Sequence, residues 1–277
     1  MAERDGVPIA AVTHEQADIC DRAAVERALT SASASLVVNA AAYNAVDKAE
    51  SEPEKAMRTN AMGPGVLATA CAIAGAPLVH VSSDYVFDGE KEAAYVEDDP
   101  IAPVSAYGRS KADGEAVVRA AGPRHVIVRT AWLFSPYGSN FVTSMMRLAA
   151  ERDELTVVDD QRGSPTSATD LARAILAVAA AVASGATPWG TYHFAGSGET
   201  TRYGMASRIV AAQALYTGRL PVVHPIATAD YPTPARRPRN SVLDSSKFAA
   251  AFGVRAADWR EAVDRTVAES MDDRVAS

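Results

Sequence analysis

The chain has 277 residues, of which 48% are apolar and 22% are charged; this composition is typical of a folded globular protein and excludes a disordered one. Acidic residues outnumber basic residues by 34 to 27, so the net charge of −7 argues against general binding to nucleic acid or anionic membranes. The length predicts one large α/β domain or a domain with a smaller lobe.

The cysteine, histidine and hydropathy patterns indicate a cytoplasmic protein without a metal site. Two cysteines, Cys20 and Cys71, are too few for a disulfide scaffold, and the five histidines lie too far apart for metal-ligand spacing. The longest apolar run, residues 174–183, is about half as long as a helix that spans a bilayer. The first residues contain no apolar signal core. We therefore expect no membrane partner and no nucleic-acid partner.

Short β-branched runs alternate with helical segments along the first half of the chain. The predicted strands are residues 36–39, 78–82 and 126–129, which are apolar and bounded by turn residues. Asp21 predicts the start of a helix over residues 22–29, and Pro53 lies in the first turn of another. This alternation predicts an α/β protein with right-handed β-α-β units in a Rossmann-like, doubly wound parallel sheet.

The pattern loosens from about residue 153. Further strands are predicted at residues 155–158, 191–194 and 221–223, and five prolines indicate loops over residues 221–240. We predict that residues 1–152, with part of the later chain, form the main domain. Residues 153–277 are expected to form mainly a smaller C-terminal lobe. A ligand is expected in the cleft between them, beyond the carboxyl ends of the strands.

Tyr107 and Lys111 lie four residues apart on a predicted helix and therefore face the same way. An ammonium group beside a phenol favours the phenolate, so Lys111 can lower the pKa of Tyr107 toward working pH. Such a tyrosine can donate a proton to a carbonyl oxygen during hydride transfer. By itself, however, this spacing is common on ordinary helices.

A polar segment, Ser82, Ser83 and Asp84, ends the predicted strand that precedes this helix. A hydroxyl there could hydrogen-bond to the carbonyl oxygen that Tyr107 protonates and so share the developing negative charge. The alternative is a polar strand end or cap, which is common for serine and aspartate. A strand-end serine, a tyrosine and a lysine together can carry out one reaction, the protonation of a carbonyl oxygen during hydride transfer. We therefore interpret the three residues as a catalytic set.

Seven segments resemble the extended short-chain dehydrogenases and, among these, the dTDP-4-dehydrorhamnose reductase family. They are SSDYVFDG at 82–89, YGRSK at 107–111, NAAAYNAVDKAE at 39–50, RTAWLF at 129–134, NF at 140–141, DQRGSPT at 160–166 and RPRNSVL at 237–243. With a shorter match near residue 18, they extend over roughly residues 18–248. The match is therefore more specific than a shared fold.

The resemblance implies reduction of the C4 ketone of dTDP-4-dehydro-L-rhamnose to dTDP-L-rhamnose by NADPH, with NADH also possible. It makes Tyr107 the proton donor and Lys111 the residue that tunes it and holds the nicotinamide ribose. Ser83 stands where the family usually has threonine. The positions implied to bind cofactor are Asp18, Ile19, Ala42, Tyr43, Asn44, Val81, Tyr107 and Lys111. The positions implied to bind the dTDP-sugar are Ser83, Asp84 and Trp132.

Two interpretations remain open for Trp132, for Arg237 and for the oligomeric state. Trp132, judged alone, is as consistent with packing as with a sugar platform. Arg237 could bind a diphosphate through two parallel hydrogen bonds, or belong to a solvated basic loop with Arg236 and Arg239. Some family members pair through Mg²⁺, but no acidic ligand set stands out in this sequence. We therefore expect no metal site and leave open a monomer or a homodimer.

The sequence contains no Gly-x-x-Gly-x-x-Gly turn, whose backbone would receive the cofactor's pyrophosphate. Residues 7–12 resemble the second strand of the family, so the NAD(P)-binding domain is expected to be incomplete at its N-terminus. Either the true start lies upstream of Met1, or cofactor binding is compromised in this chain. The intact set of Ser83, Tyr107 and Lys111 favours the first explanation.

Two other functions compete with the reductase. A non-catalytic regulatory or binding subunit of the same fold would explain a missing glycine turn but not an intact catalytic set. A sugar-nucleotide epimerase or dehydratase shares the tyrosine and lysine. The segments at 160–166 and 237–243 fit the reductase better.

Overall fold

The computed structural model describes residues 6–276, with side chains to residue 272. The helices are α1 (Arg22–Ala32), α2 (Val46–Ser51), α3 (Pro53–Met57), α4 (Gly63–Ala74), α5 (Ala106–Ala121), α6 (Phe141–Glu151), α7 (Ala168–Ala183), α8 (Arg202–Thr217), α9 (Ser246–Phe252) and α10 (Trp259–Ala276). The strands are β1 (Val37–Asn39), β2 (Leu78–Ser83), β3 (His125–Thr130), β4 (Leu133–Phe134), β5 (Glu154–Val158), β6 (Arg162–Gly163), β7 (Thr166–Ser167), β8 (Gly190–His193), β9 (Thr200–Thr201), β10 (Val222–Ile226) and β11 (Asn240–Ser241).

Four parallel strands form the main sheet in the order β1-β2-β3-β8. The register pairs Val38 with Val79 and Ser83 with Thr130, so the carboxyl ends of β2 and β3 lie side by side. Strand β8 comes from the second half of the chain and pairs with β3. The main domain thus takes up part of the later chain, and the strand predicted at 191–194 belongs to it.

Helices cover both faces of this sheet, as the doubly wound prediction requires. On one face, α1, α4 and α5 pack over Leu78 and Ile127. On the other, α7 and α9 pack over Val79 and Val128. The strands are buried on both sides because each is short and apolar, and this pattern is typical of parallel strands. The predicted α/β fold class is confirmed.

Side-chain caps set where several of these helices begin. The Asp21 carboxylate accepts hydrogen bonds from the backbone N–H groups of Ala23 and Ala24 and so caps α1 as predicted. Ser105 caps α5 by accepting from the N–H of Gly108. These caps satisfy N–H groups that have no partner inside the helix, and they fix the first turn of α5, where Tyr107 lies.

Helices of the second half of the chain form an apolar core apart from the main sheet. Residues of α6, α8 and α10, including Met146, Ile209 and Val263, bury one another completely. Strand β5 pairs in parallel with β10, and β6 lies between β11 and β9. The predicted strands at 155–158 and 221–223 are therefore present, the latter extending to residue 226.

The expected strand over residues 7–12 is wrong. This segment has no ladder partner and is exposed throughout. A cavity of about 470 Å³ separates residues 10–12 from α1. Beside it, β1 pairs only with β2, and Val38 is 42% exposed. A parallel strand is stable only when a neighbouring strand satisfies its backbone groups, and residues 6–276 supply no such neighbour here.

A buried ion pair joins α5 to β3. Arg129 donates two parallel hydrogen bonds, both of 2.8 Å, to the Glu115 carboxylate, and both side chains are at most 1% exposed. Arg119 donates a third, of 2.6 Å. Burial alone would raise the pKa of Glu115, but its hydrogen bonds to Arg129 and the charges nearby hold that pKa below the ordinary 4.5. The carboxylate is therefore ionised and fully paired at neutral pH.

Glu115→Gln should lower the free energy of unfolding by about 3–5 kcal/mol at neutral pH, because it leaves the buried Arg129 without its counter-ion. Urea denaturation measures this. Glu151→Gln is the matched control, since Glu151 forms an exposed ion pair with Arg147 that should contribute no more than about 0.5 kcal/mol. Equal losses in the two variants would contradict a stabilising role for the Glu115–Arg129 pair.

Candidate active site

The end of β2 and the first turn of α5 bring Ser83 and Tyr107 together. Ser83 is the last residue of β2, and Tyr107 is the second residue of α5. The two elements approach closely because Gly108 has no side chain: a Cβ there would come within 2.2 Å of the Tyr85 carbonyl oxygen. The Tyr85 ring packs edge-on against Tyr107 with centroids 5.4 Å apart. The predicted proximity of serine and tyrosine is thus present.

Lys111 lies one turn after Tyr107 and is buried. Its Nζ donates a hydrogen bond of 2.8 Å to the carbonyl oxygen of Val81. Burial lowers the pKa of Lys111 to about 8, and the charge of Glu115 opposes this shift. At neutral pH the group remains mostly an ammonium. Among the described residues it has this single hydrogen bond, so two of its three N–H donors are available to a ligand.

In the structure the pKa of Tyr107 is raised, whereas the sequence predicted that Lys111 would lower it. Burial raises the pKa of Tyr107 above its ordinary value of 10, while a hydrogen bond with Ser83 opposes this effect. The nearby carboxyl of Asp84 raises it further. The phenol is therefore protonated at neutral pH. This is the form that a proton donor must have at the start of a reduction.

Asp84 is buried directly beside the serine. Ser83 Oγ donates a hydrogen bond of 2.8 Å to Asp84 Oδ1, whereas Oδ2 has no partner among the described residues. Burial raises the pKa of Asp84 to about 6, and hydrogen bonds from Ser83 and Ser241 limit the rise. The Asp84 carboxyl thus orients the Ser83 hydroxyl. The strength of this hydrogen bond depends on whether Asp84 is protonated.

Two of the residues expected at the cofactor, Asp18 and Ile19, lie against the segment that begins α4. Asp18 accepts from the N–H of Cys20 and pairs with Arg58 at 2.8 Å. Ile19 packs against Gly63, where an added Cβ would come within 2.6 Å of its side chain. These contacts hold the segment around residue 18 against the start of α4.

Asn60 is a site residue that the sequence reasoning missed. Its amide oxygen accepts from the N–H of Tyr43 at 2.7 Å, and its amide nitrogen donates to Ser110 Oγ at 2.9 Å. It therefore ties the loop containing Ala42, Tyr43 and Asn44 to α5. No local spacing marks Asn60, because its partners are distant in the chain.

The two expected substrate residues outside the catalytic set have different surroundings. Trp132 adopts a left-handed conformation, with φ of 48°, and contacts Arg202, whose guanidinium carbon lies 3.6 Å from the ring centroid. Arg237 forms two hydrogen bonds, of 3.0 and 2.8 Å, to the Asp47 carboxylate. The loop carrying Arg237 is therefore attached to the start of α2, and a purely solvated loop is excluded for this arginine.

The residues present fit the nicotinamide end of a dinucleotide but not its pyrophosphate. Lys111 offers free donors beside Val81, as a ribose hydroxyl requires. Residues 6–276 contain no glycine-rich turn next to β1, where backbone N–H groups would bind phosphate. The lobe also lacks an obvious metal site: within residues 6–272 no three His, Cys, Asp or Glu side chains are grouped to hold an ion.

The fold and the site define a protein of the short-chain dehydrogenase class, with serine at the end of a parallel strand and tyrosine and lysine on the following helix. A family model described as the RmlD substrate binding domain matches residues 1–271. A dTDP-4-dehydrorhamnose reductase of Sinorhizobium fredii is 44% identical over 266 residues, which cover 95% of this chain and 90% of that protein. The chain therefore belongs to the dTDP-4-dehydrorhamnose reductase family.

Solved structures agree with this assignment. A dTDP-4-dehydrorhamnose reductase from Clostridium acetobutylicum superposes with a TM-score of 0.90 at 36% identity, covering 98% of this chain and 93% of that one. The reductase from Bacillus anthracis, solved in complex with NADP, gives a TM-score of 0.89 at 32% identity, covering 96% and 92%. In the described part of this chain, no helix is both long and apolar enough to cross a membrane.

Asp84→Asn should stabilise the fold by about 3 kcal/mol at neutral pH, because it removes a carboxylate that burial disfavours. The folded-state pKa of about 6 exceeds the ordinary 3.8, so the cost of the wild-type carboxylate is complete above about pH 6 and disappears as pH falls toward 3.8. Urea unfolding of both proteins between about pH 4 and pH 7.5 should give stabilities that converge at acid pH.

Asp153→Asn serves as the control for this measurement, because the Asp153 side chain is 95% exposed. Its stability should run parallel to that of the wild type above about pH 5. If the difference in free energy of unfolding between wild type and Asp84→Asn stayed constant or widened toward acid pH, the raised pKa of the buried Asp84 carboxyl would be contradicted.

Proposed function

We propose that this protein reduces the C4 ketone of dTDP-4-dehydro-β-L-rhamnose to give dTDP-L-rhamnose, with NADPH as the reductant. The observation that carries the proposal is the meeting of Ser83, Tyr107 and Lys111 at the carboxyl end of β2, in a chain of the reductase family. NADPH supplies a hydride when bound. The remaining chemistry belongs to these side chains.

Tyr107 donates the proton. Because burial keeps its phenol protonated, it can transfer that proton to the ketone oxygen as negative charge develops there. In the structure Ser83 Oγ donates a hydrogen bond to Asp84. When the hydroxyl turns away from Asp84, it can donate a hydrogen bond to the ketone oxygen that Tyr107 protonates. The Lys111 ammonium stabilises the phenolate that remains after the transfer.

The domain assignment supports the same function. We assign cofactor binding to residues 1–152 together with the later elements β8, α7 and α9, which complete the main sheet and one of its helical layers. The dTDP-sugar is assigned mainly to residues 153–277. The ion pair between Arg237 and Asp47 joins the two across the cleft. A cytoplasmic location, a monomeric or homodimeric state and no binding to nucleic acid remain predictions from the sequence.

Tyr107→Phe should lower kcat for reduction of dTDP-4-dehydrorhamnose by about a hundred- to ten-thousandfold, because the proton donor is removed while the ring is kept. NADPH oxidation and the rhamnose product are measured together, so that reduction is distinguished from epimerisation or dehydration. Tyr216→Phe, at an exposed position near the far end of α8, should be unaffected. Unchanged activity in Tyr107→Phe would remove the basis of the proposed mechanism.

NADPH should bind weakly to the 277-residue chain and at least about tenfold more tightly to a version extended upstream with a strand, a glycine turn and a helix. The reason is that the turn supplies the phosphate-binding N–H groups which residues 6–276 lack. Calorimetry with both proteins tests this. Tight binding by the shorter chain would refute our account of the missing turn. No binding by either would favour the non-catalytic subunit.

A further inference from the structure

Arg202 is a cation beside Trp132 that the function above does not use. It is the first residue of α8, directly after β9, and its helix is capped by Thr201, which accepts from the N–H of Gly204. The guanidinium carbon lies 3.6 Å from the centroid of the Trp132 ring and 5.2 Å from that of Phe141. Arg202 is thus stacked on an aromatic surface beside a residue implied to contact the substrate.

Arg202 differs from its neighbouring arginines because it has no acidic partner among residues 6–272. Arg162 pairs with Glu199 at 2.8 Å, and Arg208 pairs with Asp264. Within residues 6–272 the guanidinium of Arg202 forms no ion pair, and the polar group that contacts it is the Tyr85 hydroxyl. Since burying a cation without a counter-ion is costly, a half-buried and unpaired guanidinium indicates a place for an external anion.

Arg202 lies among titratable groups of both signs. Burial lowers the pKa of Arg202, and the nearby cation of Arg237 adds to this effect, whereas Tyr85 and Asp84 oppose it. The carboxyl of Asp84 is engaged by Ser83, and Asp47 is engaged by Arg237. An anion placed beside Arg202 would relieve the repulsion between the two guanidinium groups.

The indole on which Arg202 stacks is itself packed tightly against the backbone. Trp132 is held close to the backbone of β6, because a Cβ on Gly163 would come within 2.4 Å of the indole Cε2. A guanidinium that stacks through its face keeps its N–H donors in the plane, where they match a phosphate oxygen pair. The position is therefore prepared for two parallel hydrogen bonds.

We propose that Arg202 binds the diphosphate of the sugar-nucleotide substrate and thereby positions the keto sugar at Tyr107. This inference rests on the proposed function. The diphosphate carries the only charges of a dTDP-sugar, since both thymine and the sugar are neutral at this pH. The Tyr85 ring packs against Tyr107 and its phenol interacts with Arg202, so the anion site lies close to the reacting ketone on the substrate side.

The test is calorimetric binding of dTDP, with thymidine as the uncharged comparison. Arg202→Gln should weaken dTDP binding about tenfold or more and leave thymidine binding within about twofold, because only the diphosphate loses its partner. Arg202→Lys keeps the charge but loses the planar fork, so it should be intermediate. Arg208→Gln, on the same helix but paired outside the cleft, is the matched control.

Steady-state kinetics of the whole enzyme gives a second readout. Arg202→Gln should raise KM for dTDP-4-dehydrorhamnose about tenfold while KM for NADPH stays within about twofold. Equal weakening of dTDP and thymidine would mean that Arg202 only supports Trp132, and this would overturn the inference, as would unchanged dTDP binding. If Arg202→Gln does not fold, the binding of dTDP and thymidine and the two KM values are compared in Arg202→Lys, and that comparison tests the inference.

The inference and the proposed function can fail separately. A wild-type protein that binds dTDP through Arg202 but does not reduce the keto sugar would refute the reductase and leave the diphosphate site standing. A wild-type protein that reduces the keto sugar, with an Arg202→Gln variant of unchanged KM, would refute the diphosphate site alone.

Discussion

The position of α5 against the ends of β2 and β3 is the constraint on which the rest of the site depends. Lys111 reaches the backbone of β2, and Glu115, one turn later, is paired with Arg129 of β3. Gly108 allows the first turn of the helix to approach the segment after β2. Because these contacts are buried, α5 can neither slide nor rotate without breaking them, so the Tyr107 hydroxyl has a fixed position relative to Ser83.

Burial determines the electrostatics of the site more than any single pair of charges. It raises the pKa of Tyr107 and of Asp84 and lowers that of Lys111, so each group is shifted toward its neutral form. The ground state is then a protonated phenol beside a mostly charged lysine. In such surroundings a charge that forms during reaction is stabilised strongly by the few groups that face it, because little water is present to screen them.

The two arginines contributed by the second half of the chain differ in their partners. The loop that carries Arg237 returns to the main domain through the pair between Arg237 and Asp47, and the first long helix after β9 begins with Arg202 above Trp132. One arginine is neutralised and fastens the cleft, while the other is left without a counter-ion. This difference in partners is the reason for proposing Arg202 as a substrate-binding residue, while the predicted role of Arg237 in substrate binding stays a prediction.

The sequence alone determined the α/β class and the Asp21 cap of α1, and it predicted the catalytic set, because strand ends, caps and a spacing of four residues are local features. It failed at residues 7–12, since a strand forms only where another strand satisfies its backbone. Only the tertiary structure placed Asn60 and Arg202 at the site and joined Arg237 to Asp47, because these partners are far apart in the chain. It also reversed the expected shift of the Tyr107 pKa, because burial depends on packing that no local pattern contains.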